Sequence, residues 1–311
     1  VSSARVQGIG AVLVASMLWG TTGTAATFAP EIGPLAIGAA ALGIGGILQA
    51  LVAGPALRRA SLHLRARSGI VITGAVAVFV YPLAFYSAMH LAGVAVGTVV
   101  SLASAPLVSG LLERLVDRKK LGSWWYGAAF LGIIGSAALI ASTDHQSINQ
   151  SSGVIVGIVL GLVAGSSYAI YSWVVQRLMA DGIGRPAAMG SVFGLGGVLL
   201  MPVLVVTGES LLASPQATAV GAYMALVPMF LGYVAFGYGL SKIPASSATT
   251  VTLTEPAVAT VLAVVIVGEQ LTPLGWFGLA MFGLVLVLLA CAPQPRLLAQ
   301  REVGQGSLSK D

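Results

Sequence analysis

Residues 244–267 read PASSATTVTLTEPAVATVLAVVIV, a run of 24 residues with one charge, Glu255, near its centre. About 20 apolar residues in helical form cross a bilayer. An acid at the middle of such a span costs about 2.5–3.5 kcal/mol on insertion scales and faces a cavity or the bundle interior. Pro256 follows at once, removing an amide donor and bending the helix. The stretch reads as an interrupted membrane span with a functional acid at mid-depth. The rest of the chain agrees. Of 311 residues, 57% are hydrophobic and 8% charged, against about 45–50% and 25% in soluble domains. Mean hydropathy is +0.95. Ten acids and fifteen bases cannot cover a soluble globule of this length. This excludes a soluble enzyme, a nucleic-acid-binding domain and a disordered chain.

Working outward, ten apolar segments emerge: 6–28, 33–54, 69–90, 93–114, 122–142, 153–179, 186–207, 216–241, 244–267 and 273–292. Residues 55–68 read as the longest loop on the N-terminal side of the membrane, and 293–311 as a polar tail. Residues 1–30 show no cleavage site, so the first segment reads as a span. With the N-terminus inside, all fifteen Lys and Arg fall in inside regions. These are Arg5; Arg58, Arg59, Arg65 and Arg67; Arg114, Arg118, Lys119 and Lys120; Arg177 and Arg185; Lys242; and Arg296, Arg301 and Lys310. The outside loops carry Glu31, Asp144, Glu209 and Glu269. Positive charge marks the cytoplasmic side, so both termini are expected there.

The two halves repeat. Gly8, Ser16 and Gly20 fall on Gly153, Gly161 and Gly165 when the chain is shifted by 145. Ser104-Ala105-Pro106 falls on Thr254-Glu255-Pro256, and Trp125-Tyr126-Gly127 resembles Trp276-Phe277-Gly278. Five helices per half is an odd number, so the halves are inverted, as in many secondary transporters. The expected fold is an all-α integral membrane protein of ten helices in two inverted repeats. The expected units are 1–142, a periplasmic linker at 143–152, 153–292, and a cytoplasmic tail at 293–311.

The chain resembles the drug/metabolite transporter superfamily in its EamA-type, ten-helix form. The residues that carry this are Trp19-Gly20, Phe85-Tyr86-Ser87-Ala88, Thr254-Glu255-Pro256, Gly268-Glu269-Gln270-Leu271-Thr272, Trp276 and Gly278. The first copy departs from the pattern: Ala105 precedes Pro106, and Lys119-Lys120-Leu121 replaces Gly-Glu-x-Leu. An arginine frequent in helix 2 of the family is absent, with Gly43 nearby. The resemblance, closest to bacterial exporters of aromatic and neutral amino acids, implies outward movement of amino acids across a bacterial inner membrane. With the repeat symmetry, it implies a central cavity between the first, third, fourth, sixth, eighth and ninth segments.

Glu255 is the sharpest candidate. It can hold a substrate ammonium, carry a proton, or serve structurally beside the proline break. Trp19, Phe79, Tyr81, Tyr168 and Tyr233 lie at or near mid-depth and can line a pocket for a neutral side chain or a drug-like amphiphile. Ser101 and Thr252 sit where they can face the cavity with Glu255, or bond their own helices. Pro106 and Pro256 are hinge candidates, or static kinks. The stripe Gly153, Gly157, Gly161 and Gly165 reads as helix packing, with a dimer face as the alternative. Trp124, Trp125 and Trp276 read as interfacial anchors.

His63, His90 and His145 fall in or beside loops, and the single Cys291 reads as inert packing. No metal cluster, phosphate loop or reactive dyad is legible, so no cofactor, metal or enzymatic activity is expected. The expected partners are a small-molecule substrate and membrane lipid, with no nucleic acid, in a monomer or weak dimer. The leading function is amino acid export by alternating access. The alternatives are a multidrug or other metabolite exporter, proton-coupled through Glu255, and a small-solute channel.

Overall fold

The computed structural model describes residues 3–26, 28–92, 94–141, 151–262, 265 and 272–291. The described residues contain thirteen α-helices and no strand. They are α1 (Ser3–Ala26), α2 (Pro34–Val52), α3 (Gly54–Ala66), α4 (Ser68–Ala92), α5 (Val94–Leu115), α6 (Ser123–Ala141) and α7 (Ser151–Ala180). There follow α8 (Arg185–Thr207), α9 (Pro215–Met224), α10 (Gly232–Leu240), α11 (Ala245–Val251), α12 (Glu255–Leu262) and α13 (Pro273–Cys291). Asp144, His145, Gly268-Glu269-Gln270-Leu271 and the 293–311 tail lie outside the described residues.

Each expected segment is helical, and its limits agree within three residues wherever both ends are described. Seven helical spans among the described residues are long and apolar enough to cross a membrane. Helices α6 and α13 are apolar runs of 19 residues without a charge. The ninth span, α11–α12, is broken at its centre by a 3₁₀ turn, Thr252–Thr254. The eighth is also broken: α9 and α10 are joined by a π-helical turn, Ala225–Leu231, around Pro228. The expected loop at 55–68 is instead mostly helix α3, Gly54–Ala66. Pro55 sits in its first turn, and Ala, Leu and Arg favour helix throughout.

The packing repeats when the halves are exchanged. Helix α4 lies on α7 as the α9–α10 span lies on α1, and α5 lies on α7 as α12 lies on α1. The self-paired contacts are α2 with α8 and α6 with α13. This is the two-repeat bundle expected of an inverted duplication. Glycine makes the central contacts possible. A Cβ on Gly161 would stand 3.0 Å from Val100, and one on Gly20 would stand 2.8 Å from Val258. The stripe on α7 is thus consumed by α4 and α5 inside the chain, at Ala92, Val100, Ser101 and Ser104.

Basic residues gather at one end of the bundle, which also carries α3. There Asp117 accepts from Arg177 at 2.8 Å and from the Trp173 indole at 3.0 Å, and pairs with Lys119 at 3.4 Å. Asp181 pairs with Arg67 at 3.1 Å. Glu113, 2% exposed, accepts from the Ser246 amide at 2.9 Å and its hydroxyl at 2.7 Å. The carboxylate satisfies free donors at the start of α11. These contacts tie the first half to the second. Trp125 belongs to them: it is buried and donates to the Ser246 carbonyl at 3.2 Å, so it is not an interfacial anchor. Trp124 and Trp276 are exposed, as anchors are. Cys291 is exposed rather than packed.

Candidate functional site

The site is built on two helix breaks. Pro256 has no N–H for the Thr252 carbonyl four residues back, and the Glu255 amide reaches that carbonyl in a tighter 3₁₀ bond. The break sets Glu255 at the start of α12, 8% exposed. In the α9–α10 span, the Gly232 amide bonds to Val227 five residues back instead of to Pro228. That π register releases the Pro228 carbonyl, and the Trp19 indole N–H donates to it at 2.9 Å. Small residues then bring the helices together. Gly20 lets α1 approach the Glu255 carbonyl, and Gly38 lets α2 approach Pro82 and Tyr86.

These elements enclose a cavity lined by Trp19, Tyr81, Phe85, Tyr86, Tyr233 and Glu255, with Thr22, Gly38 and Met229 among the remaining walls. Among the described residues, Glu255 is the one charged residue in the lining. Rings interlock around it. Trp19 lies 4.8 Å from Tyr233 and 5.2 Å from Phe236, and Tyr81 lies 5.5 Å from Phe85 and 5.7 Å from Tyr168. Hydroxyl pairs hold the outer rings. Tyr168 donates to Thr252 at 2.9 Å, and Tyr171 and Tyr233 share a hydrogen bond of 2.7 Å. The free volume is about 10 Å³, room for one water. Binding pockets for organic ligands run to about 300–1,000 Å³. This conformation is contracted, and a substrate fits only after the helices part.

The expected residues divide. Glu255, Trp19 and Tyr81 line the cavity, while Tyr168 and Thr252 support it from one layer out. Phe79 is half-buried and outside the lining, two residues from Tyr81 and so on another face of α4. Ser101 is also outside it. Its hydroxyl bonds the Gly97 carbonyl at 2.7 Å, and the residue packs beside Gly161 and Gly165. Pro106 is buried within a continuous α5, whereas Pro256 sits at a true break. The cavity is walled by α2 but not by α5 or α7, because Gly38 and Ala41 admit α2 while the α7 rings stand behind Tyr81. Sequence reasoning missed Tyr86, Gly38 and Pro228 as site residues. Pro82 and Pro228 inside apolar runs were the available signal.

A bundle of this topology, with a lone acid in a cavity between two repeats, invites comparison with known transporters. The sequence profile of the EamA-like transporter family matches residues 6–141 and again 155–291. The chain belongs to the EamA-like transporter family. The EamA-like chain is therefore a membrane transporter and not an enzyme. It is 34% identical over 291 residues, 93% of its length and 95% of the relative's, to the uncharacterized transporter YwfM of Bacillus subtilis. It is 27% identical over 189 residues, 60% of its length and 61% of the relative's, to a probable terminal-alkyne amino-acid exporter of Streptantibioticus cattleyicolor. A crystal structure at 18% identity superposes with a TM-score of 0.74, covering 96% of this chain and 98% of that one. At that identity it speaks for the fold alone.

Proposed function

We propose that this EamA-like transporter exports neutral and aromatic amino acids across a bacterial inner membrane by alternating access. One observation carries the reading: a single carboxylate, Glu255, in a cavity otherwise walled by aromatic rings and small residues between the two repeats. The carboxylate matches a substrate ammonium, and the rings match an apolar or aromatic side chain. The hydroxyls of Tyr81 and Tyr86 are donors for the substrate carboxylate. The basic end faces the cytoplasm, since positive charge marks that side, and both termini lie there. The units are residues 1–142 and 153–292, with Pro256 and Pro106 as the points about which the spans flex. The chain works as a monomer or weak dimer, in keeping with a glycine stripe on α7 that is used internally. The amino-acid exporter among its relatives supports the substrate class.

The zwitterion carries no net charge, so the membrane potential does no work on its uncoupled movement. Efflux down a gradient suffices for a cell that overproduces its substrate. The test is counterflow in proteoliposomes, preloaded with one unlabelled amino acid at a time. The expected result is accumulation of labelled neutral or aromatic amino acid above equilibrium. Folded protein that takes up none of them overturns the reading.

The same rings suit amphiphilic drugs, and Glu255 can carry a proton in exchange. Retained transport by Glu255→Gln, independent of a pH gradient, excludes that coupling.

A further inference from the structure

Helix α3 is the element that the transport site leaves unused. Ala53 caps both α2 and α3, and Arg67 alone separates α3 from α4. Joined so tightly to two membrane spans, α3 lies at the membrane surface. Its faces differ in chemistry. Ala56, Leu57, Ala60 and Leu64 recur at helical spacing and pack against the core, and α3 rests on α8. Arg67 continues that inner side in its ion pair with Asp181.

The outer face carries Arg58, Leu62 and Arg65 at positions i, i+4 and i+7, all exposed. Leu62 is 75% exposed, and Leu51 and Val52, at the adjoining end of α2, are 69% and 72% exposed. A leucine set between two arginines and continuous with a lipid-facing helix end belongs at the headgroup boundary, not in water. Among the described residues no acid forms an ion pair with Arg58, Arg59 or Arg65. Beside Arg59, a groove of about 270 Å³ runs between α3 and the Gly182–Gly184 turn, lined also by His63 and by no acid.

We propose that the outer face of α3 is a docking surface for anionic phospholipid headgroups. Arg58 and Arg65 hold the phosphates while Leu62 enters the acyl boundary between them. Helices α2 and α4 wall the transport cavity, so lipid held on α3 bears directly on the hairpin that must move. The proposal is independent of the substrate.

The test uses the full chain, stripped of lipid in neutral detergent, and follows thermal unfolding. Phosphatidylglycerol is titrated in, with phosphatidylcholine and inorganic phosphate as separate arms. Phosphatidylglycerol is expected to raise Tm in a salt-sensitive way, and the other two to leave it unchanged. Arg58→Gln/Arg65→Gln is expected to weaken the apparent affinity about 30-fold, at roughly a factor of five per charge. Leu62→Gln keeps both charges and is expected to weaken the response less. An equal rise with phosphatidylcholine or with phosphate alone overturns the proposal. So does an unaltered phosphatidylglycerol response in the double variant. The wild-type salt dependence keeps the test decisive if that variant fails to fold.

Discussion

The indole of Trp19 in the first repeat hydrogen-bonds the carbonyl of Pro228 in the second, at 2.9 Å, across the face of the cavity. The carbonyl is free because of the π turn, and the ring is fixed because of the carbonyl. Trp19→Phe keeps most of the ring and leaves a buried acceptor unpaired, at a cost of about 1–3 kcal/mol. The SDS unfolding midpoint is expected to fall and the KM for counterflow to rise. Wild-type values for both would show that the bond holds nothing in place.

Glu255 is expected to act on the substrate ammonium. A hydrogen bond to a charged group is worth about 1.5–3 kcal/mol. Glu255→Gln should therefore weaken neutral amino acids about 10- to 100-fold. N-acetylated analogues, which lack the ammonium, should lose nothing further. Competition against counterflow measures both, and equal losses for the two classes would separate Glu255 from ammonium recognition.

Gly38 controls how close α2 comes to α4. A Cβ there stands 3.0 Å from both the Pro82 carbonyl and the Tyr86 ring. Gly38→Ala is expected to wedge the cavity wall and cut counterflow about tenfold or more, since a displacement near 1 Å costs about 10²-fold in a positioned site. Gly10→Ala, with no atom near its added carbon, serves as the silent control. Full activity in Gly38→Ala would remove α2 from the site.

The contacts at the basic end should govern access from that side. Asp117→Asn weakens the links to Arg177 and Lys119, and Glu113→Gln weakens the one to Ser246. In a Cys291→Ser background, Met229→Cys reports solvent reaching the cavity. Either substitution is expected to raise its labelling rate from the basic side about tenfold. An unchanged rate would show that closure lies elsewhere.

Much of this was legible in the residues, for physical reasons. Hydrocarbon demands long apolar runs, so the ten spans stand out. The duplicated Pro106 and Pro256 betray the repeat. Glu255 is visible because an acid in a span is expensive. What escaped depends on partners distant in the chain. Trp125 reads as an anchor until Ser246 is seen beneath it. Phe79 and Tyr81 look equivalent until α4 is turned to its neighbours. Glu113 hides near a helix end, where acids are ordinary, and only packing reveals that it is buried. The α3 helix was readable, since its apolar residues already had helical spacing.

The clasp at the basic end has a thermodynamic consequence. Two inverted repeats could exchange conformations and leave the inward-open and outward-open states equal in energy. Ionic bonds join the halves at the basic end. Among the described residues, the opposite end is joined by neutral bonds, Thr21 to Tyr223 and Gln216 to the Phe28 carbonyl. Under the proposed alternating access, that inequality is expected to tilt the empty carrier toward one resting state. A solute arriving from the basic side meets a minority conformer, and its apparent affinity drops by that fraction. A solute arriving from the other side does not. The two faces then half-saturate at different concentrations, while the final distribution of an uncoupled solute stays where its gradient puts it.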